Sequence, residues 1–472
     1  MDLFAKEALQ HPIFEYVAKA ADKLGLDVFV IGGFVRDFYL QRETPTDIDI
    51  VAVGSGIQLA EEVAKSLPNT PKVQVFKTYG TAMLKAFDAE IEFVGARKES
   101  YDPSSRNPAV EEGTLKDDQN RRDFTINALA LQLNSGHFGK LVDPFNGMEH
   151  LSQQLIKTPL DPTITYSDDP LRMMRAIRFA SQLNFKIEPG SLKAIKEHHE
   201  RIKIVSKERI VVELNKILAS NKPSIGLKLL YQTKLLQILL PEITALQGID
   251  EKDGQRHKDN FWHTLEVVDN ISENTDNLWL RWAALLHDVG KAPTKKFTKR
   301  NGWTFHGHEF VGAKMVYSIF KRLRMPLNDK MKFVQKMVLL SSRPIAIVDE
   351  EVTDSAVRRL IHDAGENIED LMTLCEADIT TKNPKRFKRY HENFNRVRLK
   401  MKEVEERDHI RNFQPPISGA EIMETFSIEP CREVGILKSK IKEAILEGEI
   451  PNEYEPARKY MHQKAAEMGI IN

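Results

Sequence analysis

Short runs of apolar residues alternate with polar ones in the first 140 residues and predict six β-strands. These strands cover residues 28–31, 48–53, 73–76, 81–86, 91–94 and 128–133. Beyond them the apolar residues recur at the three- and four-residue spacing of helices. The pattern therefore predicts an α+β chain, in which a small mixed sheet is followed by an elongated all-α body.

A glycine turn follows the first predicted strand. Gly32 and Gly33 end the apolar run, and residues 34–40 suit a helix that carries Arg36. Glycines let the backbone approach an anion closely, and Arg36 would add a fixed positive charge. An ordinary turn is the alternative interpretation, and this segment alone does not decide between them.

Two acidic residues, Asp47 and Asp49, flank Ile48 at the start of the second predicted strand. Side chains alternate along a strand, so both carboxylates are expected on one face. They would repel each other unless a cation lay between them, and Mg²⁺ prefers such oxygen ligands together with substrate phosphate. A solvated strand edge is the alternative. Combined with the glycine turn, the pair suits metal-assisted attack on a nucleoside triphosphate.

The segment SDDPLRMMRAIRFASQLNF, residues 167–185, predicts a helix with Asp169 as its cap and Pro170 at its first position. Arg172, Arg175 and Arg178 follow at intervals of three and share a broad face. A carboxylate and a guanidinium together complement a nucleobase edge, whereas a solvated basic face is the alternative.

Two further stretches lie between these elements. Residues 98–121 lack apolar periodicity and are predicted to form a mobile loop over the sheet. Residues 121–133, RRDFTINALALQL, begin with two arginines and an aspartate. These charged residues would either neutralise a triphosphate or simply cap a helix, and both interpretations stay open.

A second constellation of candidate ligands lies further along the chain. The adjacent pair His287 and Asp288 ends an apolar helix, His263 lies about one helix earlier, and Asp378 lies much later. This order resembles the HD superfamily of metal-dependent phosphohydrolases, in which His308 is a better match than His306 for a second metal. Imidazole and carboxylate suit Mn²⁺, Ni²⁺, Co²⁺ or Fe²⁺ and the activation of water. Lys291 would hold a phosphate or simply end a helix.

Composition limits the partners and the compartment. The 472 residues carry 68 basic and 68 acidic side chains, so nucleic-acid binding would need a local basic patch. With only Cys375 and Cys431 there is no disulfide framework, and a reducing cytoplasm is expected. No apolar run is long enough to span a bilayer, and residues 1–25 predict an amphipathic helix rather than a secretory signal.

One local patch is visible in the sequence. Residues 382–402 mix basic residues with Phe387, Tyr390 and Phe394. Such a stripe could follow an RNA backbone. The glutamates that follow it favour a solvated helix face, and both interpretations stay open.

Taken in order, the motifs GGFVRD, DID, RKESY, RRDFTINALA, LVDPFNG and DDPLRMMRAIRFA resemble the tRNA nucleotidyltransferase/poly(A) polymerase family, specifically its bacterial-type (class II) CCA-adding enzymes with an HD domain. The resemblance implies that Asp47 and Asp49 hold Mg²⁺, with Glu92 as a candidate third carboxylate. It also implies a set of residues that contact the incoming nucleotide: Gly33, Arg36, Arg122, Asp169, Arg172, Arg175 and Arg178. Family members often have Glu-Asp where this chain has Asp168-Asp169, which leaves the support of Arg172 open.

The function implied by the resemblance is addition or repair of the 3′-terminal CCA of tRNA from CTP and ATP, without a nucleic-acid template. A poly(A) polymerase, an enzyme that adds only A or only C, and an HD phosphohydrolase with a nucleotide-binding head are the alternatives. Four domains are expected: a nucleotidyltransferase head (1–155), a helical neck (156–235), an HD domain (236–390) and a helical tail (391–472). The oligomeric state is left open.

Overall fold

The computed structural model describes residues 7–42, 46–77, 80–100, 109–256, 258–349, 353–408 and 413–470. The chain divides into two compact units, Met1–Pro241 and Glu242–Asn472. The first unit contains a mixed sheet and the second is mainly helical. The predicted α+β class, a mixed-sheet head followed by a helical body, is confirmed.

The sheet-containing part of the first unit alternates strands with short helices. Its elements in chain order are α1 (Ile13–Leu24), β1 (Val28–Ile31), α2 (Gly33–Tyr39), β2 (Asp47–Ala52), α3 (Gly56–Ser66), β3 (Gln74–Phe76), β4 (Thr81–Ala86), β5 (Ala89–Gly95), β6 (Arg97–Ser100), β7 (Ala109–Glu112), α4 (Leu115–Asn120), β8 (Ala130–Gln132), β9 (Leu141–Val142), α5 (Gly147–Ser152) and β10 (Leu155–Ile156).

Seven of these strands form one sheet in the order β3-β4-β5-β2-β1-β8-β9. Strand β2 lies at its centre, where it pairs antiparallel with β1 and parallel with β5. Ile48 and Ile50 of β2 are fully buried, and Asp47 and Asp49 alternate with them. Helix α3 packs on β4 and β5 and also contacts α1. The alternation that seals the core therefore presents the two acids on the opposite face.

The rest of the first unit is helical: α6 (Pro162–Asp168), α7 (Leu171–Leu183), β11 (Lys186–Ile187), α8 (Pro189–His198), α9 (Lys207–Leu218), α10 (Pro223–Gln232), α11 (Leu235–Leu239) and the start of α12 (Pro241–Thr244). Helix α7 packs against α9 and α10 and buries Met173, Met174 and Ile177. This packing fixes the helix that carries the three arginines predicted to share a face.

The second unit contains helices and two small hairpins. Its elements are β12 (Glu251–Lys252), β13 (Gln255–Arg256), α13 (Asn260–Ser272), α14 (Leu278–Leu286), α15 (Lys291–Thr294), β14 (Lys296–Thr298), β15 (Gly302–Thr304), α16 (His308–Leu323), α17 (Asp329–Leu340), α18 (Arg343–Asp349), α19 (Asp354–Ala364), α20 (Ile368–Ala377), α21 (Pro384–Asp408), α22 (Gly419–Phe426), α23 (Arg432–Glu447) and α24 (Tyr454–Glu467). Side-chain caps from Asp259 and Asn277 start α13 and α14. Within the described ranges, no helix is both long and apolar enough to cross a bilayer.

The prediction of a loop over residues 98–121 is wrong for the described part of that segment. Strands β6 and β7 pair antiparallel, and α4 follows them behind a capping box between Thr114 and Asp117. Local hydrogen bonds and strand pairing, rather than apolar periodicity, order this segment. Residues 101–108 lie outside the described residues, as do residues 1–6 of the predicted N-terminal helix.

Candidate functional site

The glycine turn after β1 brings three functional groups close together. Gly32 has a φ of +87°, a conformation that L side chains rarely adopt. A Cβ at this position would also lie 3.0 Å from Nη1 of Arg122 and 3.5 Å from Oδ2 of Asp49. Gly33 is different, because a Cβ there would meet only Arg36, at an ordinary 3.8 Å. The close approach therefore depends on Gly32, whereas the family resemblance assigned the nucleotide contact to its neighbour Gly33.

Three carboxylates are concentrated at the edge of β2 and β5. Asp49 lies opposite Glu92 in the register of these parallel strands, with Asp47 two residues away. Burial raises the pKa of Asp49, Arg122 opposes this shift, and Asp47 adds to it. Burial and the charge of Asp49 likewise raise the pKa of Glu92. Crowded carboxylates that resist ionisation fit a divalent cation, which would relieve their repulsion.

Asp49 and Glu92 open onto a cavity of about 710 Å³, within the size range of ligand pockets. Its charged lining consists of four acids and six arginines: Asp49, Glu92, Asp123, Asp169, Arg97, Arg121, Arg122, Arg172, Arg175 and Arg209. The cavity thus brings together five of the predicted site residues. The other four in the first unit, Gly33, Arg36, Asp47 and Arg178, are not among its lining residues.

A buried acid that sequence reasoning missed holds the paired arginines. Asp118 is fully buried and forms ion pairs with Arg121 and with Nε of Arg122, the latter at 3.2 Å. The backbone carbonyl of Arg121 in turn accepts a hydrogen bond of 2.6 Å from Nη2 of Arg172. The available signal was the spacing of three and four residues on a helix, which places Asp118 beside both arginines.

Asp123 links the same segment to α7. Its Oδ2 lies 2.7 Å from Nε and 2.6 Å from Nη2 of Arg175, and its Oδ1 accepts a hydrogen bond from the side chain of Asn127. Burial alone would raise the pKa of Asp123, but Arg175, assisted by Asn127 and Arg172, lowers it to about 2. Oδ1 of Asn127 accepts a hydrogen bond of 2.6 Å from Arg36, so Arg36 reaches this network from the glycine turn.

Arg178 lies apart from the cavity-lining groups. Its guanidinium stacks 3.8 Å from the ring centroid of Phe179, and its Nε lies 2.6 Å from Oε2 of Glu213 on α9. Both charged side chains are buried, and burial lowers the pKa of Arg178 against the opposing charge of Glu213. In the described structure, Arg178 therefore joins α7 to α9 instead of lining the cavity.

The start of α7 differs by one residue from the prediction. Pro170 is the N-cap, and the first helical residue is Leu171, whose backbone N–H donates to Oδ1 of Asp169 at 3.1 Å. The other carboxylate oxygen of Asp169 lies 3.9 Å from Arg209, a cavity residue absent from the predicted set. Burial raises the pKa of the neighbouring Asp168, although Arg172 and Arg201 oppose the shift.

The five candidate ligands of the second unit form one cluster. Nε2 of His263 lies 2.7 Å from Oδ1 of Asp378, and Nε2 of His287 lies 3.6 Å from the same oxygen. Oδ2 of Asp288 lies 3.4 Å from His287, and its Oδ1 lies 3.7 Å from Nε2 of His308. The exposed His306 contrasts with His308 at the cluster. Helices α13, α14, α16 and α20 thus converge on one centre.

The hydrogen bonds around this cluster fit a metal. The Nδ1–H groups of His287 and His308 face backbone carbonyls at 2.8 and 3.0 Å, which directs both Nε2 atoms toward the centre. Nε2 of His287 and Oδ1 of Asp378 are buried without a hydrogen-bond partner of good geometry. Ligand atoms of His263, His287 and Asp378 all lie within 4.8 Å of one another. The chain therefore contains a possible metal site whose donors are imidazole and carboxylate.

The electrostatics of the cluster favour a bound cation. Burial by itself would lower the pKa of His287, but Asp288 and Asp378 raise it to about 10. Burial would raise the pKa of Asp378, but His263 and His287 hold it well below its usual range. The carboxylates thus retain a proton on imidazole, in the place that a metal cation would take. Lys291 adds a second cation, 2.7 Å from Asp288, at the start of α15.

Three family profiles match successive parts of the chain. The profile of the poly A polymerase head domain matches residues 28–157. A profile described as a probable RNA and SrmB-binding site of polymerase A matches residues 184–247, and the HD domain profile matches residues 260–381. The head profile covers the glycine turn and the carboxylates of the first site, and the HD profile covers the candidate metal ligands of the second.

Individual relatives cover different shares of the chain. It is 32% identical to the A-adding tRNA nucleotidyltransferase of Deinococcus radiodurans, over 75% of this chain and 80% of the relative. It is 29% identical to the A-adding tRNA nucleotidyltransferase of Aquifex aeolicus, over 73% of this chain but only 44% of that longer relative. The CCA-adding enzyme of Bacillus velezensis is 27% identical and aligns over 95% of this chain and 96% of its own length.

The fold is shared with a solved structure. The Thermotoga maritima CCA-adding enzyme complexed with tRNA superposes with a TM-score of 0.61 at 22% identity, over 97% of this chain and 98% of that one.

Proposed function

Because this chain belongs to the tRNA nucleotidyltransferase/poly(A) polymerase family, we propose that it adds or repairs the 3′-terminal CCA of tRNA, using CTP and ATP without a nucleic-acid template. The observation that carries the proposal is the single cavity shared by Asp49, Arg122, Asp169 and Arg172. It places acids suited to a magnesium ion beside donors and acceptors suited to a nucleobase.

In this proposal the carboxylates of Asp47 and Asp49, supported by Glu92, hold Mg²⁺. The bound ion would supply positive charge for displacement at the α-phosphorus. The absence of a side chain at Gly32 lets Arg122 and Asp49 lie close to the glycine turn, where a polyphosphate would meet them. Arg121 and Arg122, fixed by buried Asp118, neutralise the charge of the departing pyrophosphate.

Base selection is assigned to the start of α7. Asp169 offers a carboxylate acceptor and Arg172 offers guanidinium donors, the complement of a Watson–Crick edge. Arg172 is anchored on the carbonyl of Arg121, and Arg175 on Asp123. A fixed set of donors and acceptors lets the protein choose the base without a template.

Primer extension tests this proposal. The protein is incubated with Mg²⁺ and tRNA that lacks its last three nucleotides, with labelled CTP and ATP supplied separately and together. Two C residues and one A are expected. An A-adding enzyme is a second candidate, favoured by the names of the Deinococcus and Aquifex relatives; it would add A only to a second primer, tRNA that lacks just its terminal A. Long A tails would indicate a poly(A) polymerase, and no incorporation into either primer would contradict both transferase proposals.

For the second unit, we propose that the HD cluster binds Mn²⁺, Ni²⁺, Co²⁺ or Fe²⁺ and hydrolyses phosphoesters. The donor set, and the buried Nε2 of His287 and Oδ1 of Asp378 that lack a hydrogen bond of good geometry, support metal binding. Opening of a 2′,3′-cyclic phosphate to its monoester, or release of phosphate from a mononucleotide, that disappears in His287→Ala would support the activity. The same release in a protein that incorporates no nucleotide would favour a phosphohydrolase with a nucleotide-binding head.

The domain boundaries and the compartment remain proposals of the same kind. The three profile matches support a head in 1–155, a neck in 156–235 and an HD domain in 236–390, with a helical tail in 391–472. We place the reaction in the cytoplasm, since Cys375 and Cys431 are both free thiols.

A further inference from the structure

Helix α21 of the second unit is anchored through only part of its length. Its buried residues, Phe394, Val397, Met401 and Val404, begin in its third turn. Residues 382–389 are all exposed. The first two turns therefore take no part in the packing that holds the rest of the helix.

This exposed segment carries a concentration of positive charge. Its five cations, which we call the basic end, are Lys382, Lys385, Arg386, Lys388 and Arg389. No acidic residue occurs between Asp378 and Glu392 in the sequence. Among the described residues, the ion pair found for the basic end is a distant one of 3.8 Å between Lys388 and Glu392.

The second half of α21 shows the opposite arrangement. Arg398 pairs with Glu376 at 3.0 Å, and Lys400 and Arg407 pair with Asp354 at 2.8 and 2.6 Å. Two glutamates that follow the basic stretch, Glu403 and Glu406, lie 3.8 and 3.9 Å from Lys400 and Lys402, so they balance this half of the helix and not its beginning. The solvated-face interpretation suits the second half of the helix, where the charges are balanced, but not the basic end.

The basic end is also unfavourable for the helix itself. Cations near a helix N-terminus oppose the macrodipole, and Lys385 and Arg389 repel each other across one turn. The helix nevertheless starts sharply, because Oδ1 of Asn383 accepts hydrogen bonds from the backbone N–H groups of Lys385 and Arg386 at 3.0 and 3.2 Å. An anionic partner would remove both electrostatic penalties without any change in the backbone.

We propose that the basic end binds the phosphodiester backbone of RNA. The identification of that RNA as the tRNA substrate rests on the proposed function, whereas the charge complementarity does not. Phe387 projects from the same segment with 45% of its surface exposed and its ring 4.3 Å from that of His391. An exposed aromatic ring among cations suits stacking on a base or ribose beside the bound backbone.

A matched pair of four-residue variants tests this surface. The test variant is K385Q/R386Q/K388Q/R389Q. The control, K23Q/K65Q/K85Q/K332Q, removes the same charge from exposed lysines that already have acidic partners and lie outside the RNA-binding profile match. Binding of labelled tRNA is followed by fluorescence anisotropy between about 50 and 200 mM salt, the range in which phosphate contacts are strongly salt-dependent.

We expect the test variant to bind tRNA about tenfold more weakly. The plot of log association constant against log salt should also become less steep, by about 2 to 4, since each lost phosphate contact removes about 0.9 from the magnitude of its slope. The control should stay within about twofold of wild type. Equal affinity and equal slope for the two variants, with unchanged melting temperatures, would overturn the proposal. Nucleotide incorporation is measured separately at saturating tRNA: its absence in wild type refutes the proposed function, whereas the binding comparison still decides the role of the basic end.

Discussion

Asp123 and Arg175 form a two-point ion pair, with Nε and Nη2 of the arginine 2.7 and 2.6 Å from one carboxylate oxygen. The pair joins the segment that carries Arg121 and Arg122 to the helix that carries Arg172. Through Asn127, the same aspartate also reaches Arg36 at the glycine turn. The groups proposed for triphosphate and for base therefore share one buried support.

This pair predicts an acid-sensitive contribution to stability. Because the folded pKa of Asp123 is about 2, against 3.8 normally, its ionisation stabilises the fold by about 2 kcal/mol above pH 4. That contribution falls as the pH drops through 4 toward 2. Asp123→Asn lacks it at every pH, so its deficit in urea unfolding should shrink as the pH is lowered. A deficit that stays constant, as expected for the exposed control Asp329→Asn, would contradict this prediction.

Removal of Asp49 should separate metal binding from folding. Since burial and Asp47 raise the pKa of Asp49, its charge destabilises the metal-free protein, and Asp49→Asn should melt at the same temperature or higher. Addition of Mg²⁺ should raise the melting temperature of wild type but not of Asp49→Asn, which should also lose nucleotide incorporation and keep phosphohydrolysis. The exposed Asp88→Asn serves as the control and should retain the response. An equal response in all three proteins would place the ion elsewhere.

Arg172→Ala should impair the choice of base more than the rate of transfer. The change removes guanidinium donors anchored on the Arg121 carbonyl and leaves the carboxylates of β2 and β5 in place. The ratio of kcat/KM for CTP or ATP over GTP and UTP should fall by at least about tenfold, equivalent to about 1.4 kcal/mol. Lys186→Ala, on the exposed face of the strand after α7, should leave the ratio unchanged. An unaltered ratio in Arg172→Ala would refute the base-reading role.

Arg178 should act through stability. Arg178→Ala would leave Glu213 as a buried, unpaired charge and is expected to lower the free energy of unfolding by about 3 kcal/mol or more. The double variant R178M/E213L removes both charges and should recover most of this loss in urea unfolding. If Arg178→Ala were fully stable and showed only a raised KM for nucleotide, the resemblance-based role at the nucleotide would be the better account.

Metal binding at the HD cluster can be measured without turnover. Mn²⁺, Ni²⁺ or Co²⁺ should raise the melting temperature of the second unit, and a chelator should reverse the change. His287→Ala should abolish the shift while nucleotide incorporation continues. His306→Ala, which alters an exposed histidine outside the cluster, should retain it. Persistence of the shift in His287→Ala would remove His287 from the ligand set.

Local patterns were sufficient for the elements that present the first site. Alternation along β2 predicted that Asp47 and Asp49 share a face, and the glycines marked the end of β1 at the correct residue. The spacing of Arg172 and Arg175 placed both on the side of α7 that meets the cavity. Each of these features depends on neighbours within a few residues, which a single sequence displays.

Features that depend on distant partners could not be predicted in this way. The same spacing rule grouped Arg178 with Arg175, yet Glu213, 35 positions later, draws Arg178 into the packing between α7 and α9. Arg209 enters the cavity from another helix for the same reason. The alignment of Glu92 with Asp49 required the parallel pairing of β2 and β5, which no local pattern specifies. For the same reason, the sequence did not predict that strand pairing orders the described parts of residues 98–121.

The register of β2 has one more consequence. Side chains change face with every residue, so a shift of one position would turn Asp49 inward and expose Ile48 and Ile50 to water. A protein with this shifted register would therefore expose hydrophobic surface to chaperones and proteases, and the same shift would remove its acidic side chains from the site. Cellular quality control that senses only hydrophobicity would in this way also remove inert copies of the protein.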